Sequence, residues 1–166
     1  MFKRSFWMLM VGLALALASS ALAAPPTRTP VPSDPVEFPG GLVCSFPVLL
    51  ETVENSQVIK TFADGRQIVT GHFVTRVTNL DTGQAVIRRI SGPIFVTPNA
   101  DGTVTVKGAG QTLFFFFPGD LGIGEPGALL FMTGLVVETL PADFSAILSF
   151  SHKGGTTENL CTTLAP

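Results

Sequence analysis

Few residues in this chain could carry reaction chemistry. His72 sits between Thr70 and Val74 in a β-type run, and His152 precedes the turn-forming Lys153-Gly154-Gly155. A hydrolytic triad needs a nucleophile, a base and an orienting acid that converge in space. Ser91, Ser145 and Asp143 could be fitted to those roles, but their spacing gives no reason to select them, and no catalytic residue is expected. Two histidines and two cysteines make a poor zinc set when the cysteines are oxidised, so neither a metal site nor a cofactor is expected. Glu51, Glu54, Glu138 and Asp143 are scattered, at no spacing that argues for the paired carboxylates of glycoside hydrolysis. The segment Gly119-Asp120-Leu121-Gly122-Ile123-Gly124 has the glycines of a phosphate loop. It lacks the Lys-Ser/Thr ending and a following helix, and reads as a connection.

Binding chemistry has better candidates. A turn over 80–83 makes Val77 face Val86 and Phe73 face Ile90, with Thr78–Ala85 and His72–Ser91 on the other side of the hairpin. Neighbouring side chains on a strand point to opposite faces, so one of Arg88 and Arg89 must point inward. In this register it is Arg88, opposite Thr75 and flanked by Val86 and Ile90. A charge there must be paired or must reach the rim. The ordinary expectation is a rim arginine, or a pair with Glu51 or Glu138. The functional one is an anion-recognising group in an apolar interior. In Leu113-Phe114-Phe115-Phe116-Phe117 alternation puts Phe114 and Phe116 on one face, Phe115 and Phe117 on the other. One pair is expected to line the interior and the other to be covered, by the 118–127 loop, the proline-rich segment or a partner. Arg88, Phe73, Phe114 and Phe116 are therefore the candidate binding residues.

The elements that must position them are short. β-type runs at 43–53, 57–62, 67–79, 84–90, 93–97, 103–107, 111–117, 128–140 and 144–151 alternate with turn signals such as Ala63-Asp64-Gly65, Asp81-Thr82-Gly83 and Asp101-Gly102. No segment of ordinary helix length shows a 3.6-residue period, although 156–164 could form a turn or two. The expected fold is all-β, an antiparallel meander of about eight or nine strands, as a small closed barrel or, alternatively, a two-sheet sandwich.

The chain opens with the basic Phe2-Lys3-Arg4, an uncharged run to Ala24 and the small-residue pattern Ala21-Leu22-Ala23, the parts of a secretory signal helix in order. Residues 1–23 are read as that signal, 24–40 as a stiff proline-rich linker and 41–166 as a single β domain. The apolar core is shorter than the roughly 20 residues a span requires, and no membrane anchor is expected after cleavage. Losing Lys3 and Arg4 leaves eight basic residues against twelve acidic, with no basic run for nucleic acid. The only Trp, Trp7, leaves with the signal, and the chain has no Tyr. That counts against a carbohydrate-binding module and against an antibody-like recognition surface. Cys44 and Cys161 are expected to pair in an oxidising compartment.

The segments Phe38-Pro39-Gly40-Gly41-Leu42-Val43-Cys44-Ser45-Phe46-Pro47-Val48 and Phe62-Ala63-Asp64-Gly65-Arg66, with Gly71 and Ser91-Gly92-Pro93, resemble a group of small exported bacterial proteins. The resemblance implies export and a two-cysteine domain, and carries no activity. Three functions are compatible with the residues. The chain could be a secreted barrel that binds a small apolar or anionic amphipathic molecule, a structural or adhesive module of the envelope or cell surface, or a hydrolase, the least supported.

Overall fold

The structure is a computed structural model and describes residues 24–166; the expected signal segment at 1–23 lies outside the described residues. The β-branched and aromatic runs form antiparallel strands throughout. In chain order they are β1 (Thr27–Pro30), β2 (Val36–Phe38), β3 (Val48–Asn55), β4 (Val58–Thr61), β5 (Gln67–Thr70) and β6 (His72–Asn79). Then come β7 (Ala85–Ser91), β8 (Ile94–Pro98), β9 (Thr103–Phe116), β10 (Ala128–Pro141), β11 (Ser149–Lys153) and β12 (Thr157–Asn159). A single α-helical turn, α1 (Leu160–Thr163), follows, capped by the Asn159 side chain, which accepts from the Cys161 and Thr162 N–H groups.

The strands divide into two sheets. The larger has the order β1-β4-β5-β8-β9-β10-β11, with β12 also paired to β10; the smaller has the order β2-β3-β6-β7. The expected closed barrel is not formed. β1 and β11 end the larger sheet without pairing to each other, and the chain passes from one sheet to the other at β1/β2, β3/β4, β5/β6 and β7/β8. Glycine makes the β7/β8 crossing possible: a Cβ on Gly92 would lie 1.7 Å from the Ala109 carbonyl oxygen, so no other residue fits where the chain brushes past β9.

The proline-rich segment is not a free linker. Thr27–Pro30 pairs with β4 at one edge of the larger sheet, and Val36–Phe38 pairs with β3 at one edge of the smaller. Proline excludes a central strand, but an edge strand leaves one side of the backbone unpaired and tolerates it. The hairpin β6–β7 has the register read from the sequence, with Val77 opposite Val86 and Arg88 opposite Thr75.

Between the sheets lies the main core of Val43, Cys44, Phe46, Val48, Val77, Leu129, Leu160 and Leu164, flanked by Phe38, Leu113, Phe115 and Phe131. A Cys44–Cys161 disulfide ties this core to α1 across 117 residues of sequence. Asn79 is fully buried beside it and satisfied, donating to the Leu164 carbonyl and accepting from the Asp81 N–H.

The β9–β10 ribbon bends sharply. Gly110 and Gly134 face each other in register, both at positive φ (105° and 113°), a backbone that side chains resist. The bend is visible in the packing. Phe150 on β11 is in register with Glu138 and therefore with Val106, yet its ring centroid lies 5.0 Å from Phe114 and 5.1 Å from Phe116, far along β9. The inner side of the bend buries Val104, Phe116, Met132, Val136 and Leu140. The sheet thus curls toward a barrel without closing.

Candidate functional site

The phenylalanine run divides as alternation requires, and each face finds its own cover. Phe114 and Phe116 pack on Phe150 inside the bend. Phe115 and Phe117 meet Phe38, at centroid distances of 5.1 and 6.2 Å. Phe38 belongs to β2, so the proline-rich segment supplies the cover on that side.

Between these two faces the molecule leaves a cavity of about 380 Å³, a volume typical of small-molecule sites. It exists because β8 pairs with β9 only as far as Gly108. Beyond that point no described strand pairs with the outer edge of β9; the Ser91–Pro93 crossing packs against residues 109–111, and residues from both faces of β9 border the gap. Phe38, Phe114, Phe115 and Phe117 supply rings, Val106, Val136 and Leu140 supply aliphatic wall, and residues 144–147 close one side. A neighbouring cavity of about 330 Å³, between the two sheets, contains Phe73 and Ile90. Phe38, Ile94, Leu113 and Phe115 border both.

Two carboxyl groups reach the larger cavity, Asp120 and Glu138; no Lys, Arg or His lines it. Asp120 is fully engaged: its Oδ2 accepts from the Phe117 N–H at 2.8 Å and its Oδ1 from the Ile147 N–H at 3.4 Å. The first bond is local to the 118–127 loop, and the second joins that loop to the 142–148 loop at the cavity mouth. Leu121 and Phe144, one in each loop, are the non-glycine residues at positive φ among the described residues, and both are exposed. Large apolar side chains held in that backbone region mark an arrangement fixed by its surroundings.

Glu138 stands differently. Alternation places it on the inner side of the bend, between Val136 and Leu140, opposite Val106 and Phe150. Burial, and secondarily the negative charge of Asp120, push its carboxyl up to about 7. Among the described residues it has no ion-pair partner within 4 Å.

The residues singled out from sequence fall in three places. Phe114 lines the larger cavity and Phe73 the smaller, while Phe116 is buried against Phe150 and borders neither. Arg88 does point to the inner side of its hairpin, but its partner is Glu158 on β12, not Glu51 or Glu138. Arg88 Nε donates to Glu158 Oε2 at 3.0 Å, Nη2 donates to Oε1, and the guanidinium lies 5.6 Å from the Phe131 ring centroid. That bond holds the Glu158 carboxyl below its usual range. Glu51 instead faces Arg76 across β3–β6. Arg88 lines neither cavity.

No triad assembles among the described residues. His72 and Ser91 are cross-strand partners, but His72 Nε2 lies 3.5 Å from Glu54 and Ser91 Oγ is directed to Gln111. His152 Nε2 is bonded to the Thr133 carbonyl, and Asp143 accepts from the Ser145 N–H. No group of three or more His, Cys, Asp or Glu among the described residues could hold a metal ion. Family models, curated proteins and solved structures offer no match to this chain.

Glu138 and Asp120 were not among the sequence candidates for binding. The signal was present for Glu138: a lone carboxylate in Val136-Val137-Glu138-Thr139-Leu140 sits on an apolar stripe just as Arg88 does. For Asp120 there was none, since only the bend brings its loop to β10.

Proposed function

We propose that this is an exported protein that binds a small apolar molecule in the cavity at the open edge of β9. The observation that carries the reading is the cavity itself, of about 380 Å³, walled by phenylalanine and aliphatic side chains from both faces of one strand. A folded chain gains by filling such space, since burying an aromatic ring is worth about 1.5–3 kcal/mol and an unfilled wall forfeits part of that. Export is supported by the signal-like 1–23 segment and by the Cys44–Cys161 disulfide, a bond that persists in oxidising compartments. No helix among the described residues is long and apolar enough to cross a membrane.

An anionic ligand held by Arg88 loses its support, because Arg88 is spent on Glu158 away from the cavity. The structural-module reading leaned on residues 24–40 as a spacer, and those residues are stitched into both sheets. The test is native mass spectrometry of protein purified from its own host. A co-purifying molecule of a few hundred daltons that is released on unfolding supports the reading. A bare polypeptide mass, together with no uptake of any apolar probe, rejects it.

A further inference from the structure

The apolar cavity needs an account of its two carboxyl groups. A purely hydrocarbon ligand would be served by an all-apolar lining, and placing an acid there costs stability. Asp120 has a structural explanation, since both its oxygens accept from backbone N–H groups, one in its own turn and one in the 142–148 loop. Glu138 has none: it shares the cavity with Phe114 and Phe115 and has no cationic partner among the described residues.

The groups around Glu138 do not supply a positive charge. Opposite it on β9 is Val106, with Lys107 turned to the other face of the sheet. Opposite it on β11 is Phe150, and His152, two residues further on the same face, has its Nε2 at the Thr133 carbonyl. From the loops come Asp120, facing the cavity, and Asp143, which holds the Ser145 N–H. Every ionisable group directed toward the cavity is therefore acidic. The phenylalanine faces around it add a second preference of the same sign, because aromatic rings attract cations.

We infer that the cavity takes an amphiphile with a cationic nitrogen, its apolar body among the phenylalanines and its ammonium group on Glu138. The inference rests on the apolar-binding reading above and names the ligand's charge. Burial and Asp120 penalise the Glu138 carboxylate, and a bound ammonium relieves both. Binding should therefore strengthen as pH rises through the titration of Glu138, with the amine itself charged throughout. By reciprocity, a ligand that gains tenfold from ionised Glu138 lowers that group's midpoint by about one pH unit.

The test uses the purified protein loaded with the uncharged fluorophore N-phenyl-1-naphthylamine. Decylamine, decanol and decanoate, which share one chain length, are then compared as competitors. Decylamine is expected to displace the probe at about tenfold lower concentration than decanol at pH 8, a coupling of ordinary size. The advantage, read as the ratio of decylamine to decanol potency within each sample, should vanish at pH 5 and in Glu138→Gln. Equal potency of decylamine and decanol, or a lead for decanoate, overturns the cationic assignment and leaves apolar binding standing. An advantage that survives in folded Glu138→Gln also overturns it, since the charge would then be read elsewhere. Failure of the wild type to take up the probe or any of the competitors overturns both readings together.

Discussion

Two regions that meet at the β9–β10 ribbon, the disulfide core and the cavity at the outer edge of β9, are built from similar residues and packed to different degrees. Around the disulfide, Val43, Cys44, Val48, Val77, Leu129, Leu160 and Leu164 are all at 0% exposure. Around the cavity, Phe114, Phe115, Val106 and Glu138 are only half-buried, and Phe144 is 55% exposed. The first region is closed by covalent and hydrogen-bonded ties: the Cys44–Cys161 bond, the Asn79–Leu164 bond and the Asn159 cap. The second is held open by what is missing, a strand beyond Gly108 on the outer edge of β9. Residues of one hydrophobic class thus make a dry core where a neighbour fills the space, and a binding wall where none does.

The largest expected effect tests the closed region. Replacing both cysteines by serine removes a cross-link spanning 117 residues. In the chain-entropy model that costs about 4–5 kcal/mol, read as a fall in denaturant midpoint. A change below about 1 kcal/mol would mean the core holds this region without the bond.

A matched pair of truncations sharpens the contrast. Leu129→Ala, at a site with no exposure, should cost about 3–5 kcal/mol by leaving a cavity. Phe114→Ala removes more atoms but should cost less, about 1–2 kcal/mol, because part of its surface already faces open space. It should also weaken uptake of an uncharged apolar probe, which Leu129→Ala should not. Equal losses of stability would erase the distinction between the two regions.

Glu138 gives a pH-dependent version of the same contrast. Its carboxyl is raised in the folded chain from an ordinary 4.5 to about 7. Between those values the unfolded chain is ionised while the folded one stays protonated, so the folded state loses stability as pH rises through the window. Glu138→Gln should match the wild type at pH 4 and exceed it by about 1–2 kcal/mol at pH 8, once the solvent-facing part of the group is discounted. A pH-independent difference would show that Glu138 is not desolvated.

The smallest effect concerns Arg88. Its bidentate contact with Glu158 is partly exposed, so Arg88→Met should cost no more than about 1 kcal/mol and leave probe uptake unchanged. Lost uptake would return Arg88 to the binding site.

Much of this architecture was legible in the sequence, because local rules act on neighbouring residues. The β6–β7 register follows from the 80–83 turn and apolar alternation, and the inward direction of Arg88 follows from that register. The split of the phenylalanine run follows from strand periodicity alone. What could not be read depends on contacts between distant segments. Val106 and Phe114 lie on one strand, and only the bend at the facing Gly110 and Gly134 brings Phe150, in register with Val106, against Phe114. The crossings at Gly71 and Gly92 look in sequence like ordinary bulges, yet they move the chain between sheets and turn an expected barrel into two open layers. Proline argued correctly against a central strand at 24–40, but edge pairing satisfies the same constraint.

The central claim is that the open edge of β9 is a ligand site, and one residue tests it with little risk to the fold. Ala146 is exposed and lines the cavity from the 142–148 loop, so a tryptophan there can occupy the space without displacing buried side chains. Titration of N-phenyl-1-naphthylamine into wild type and Ala146→Trp, with unfolding midpoints measured in parallel, is the direct experiment. The account predicts saturable single-site uptake by the wild type, loss of that uptake in the variant, and matching midpoints. Equal uptake by both proteins, or none by the wild type, would contradict it.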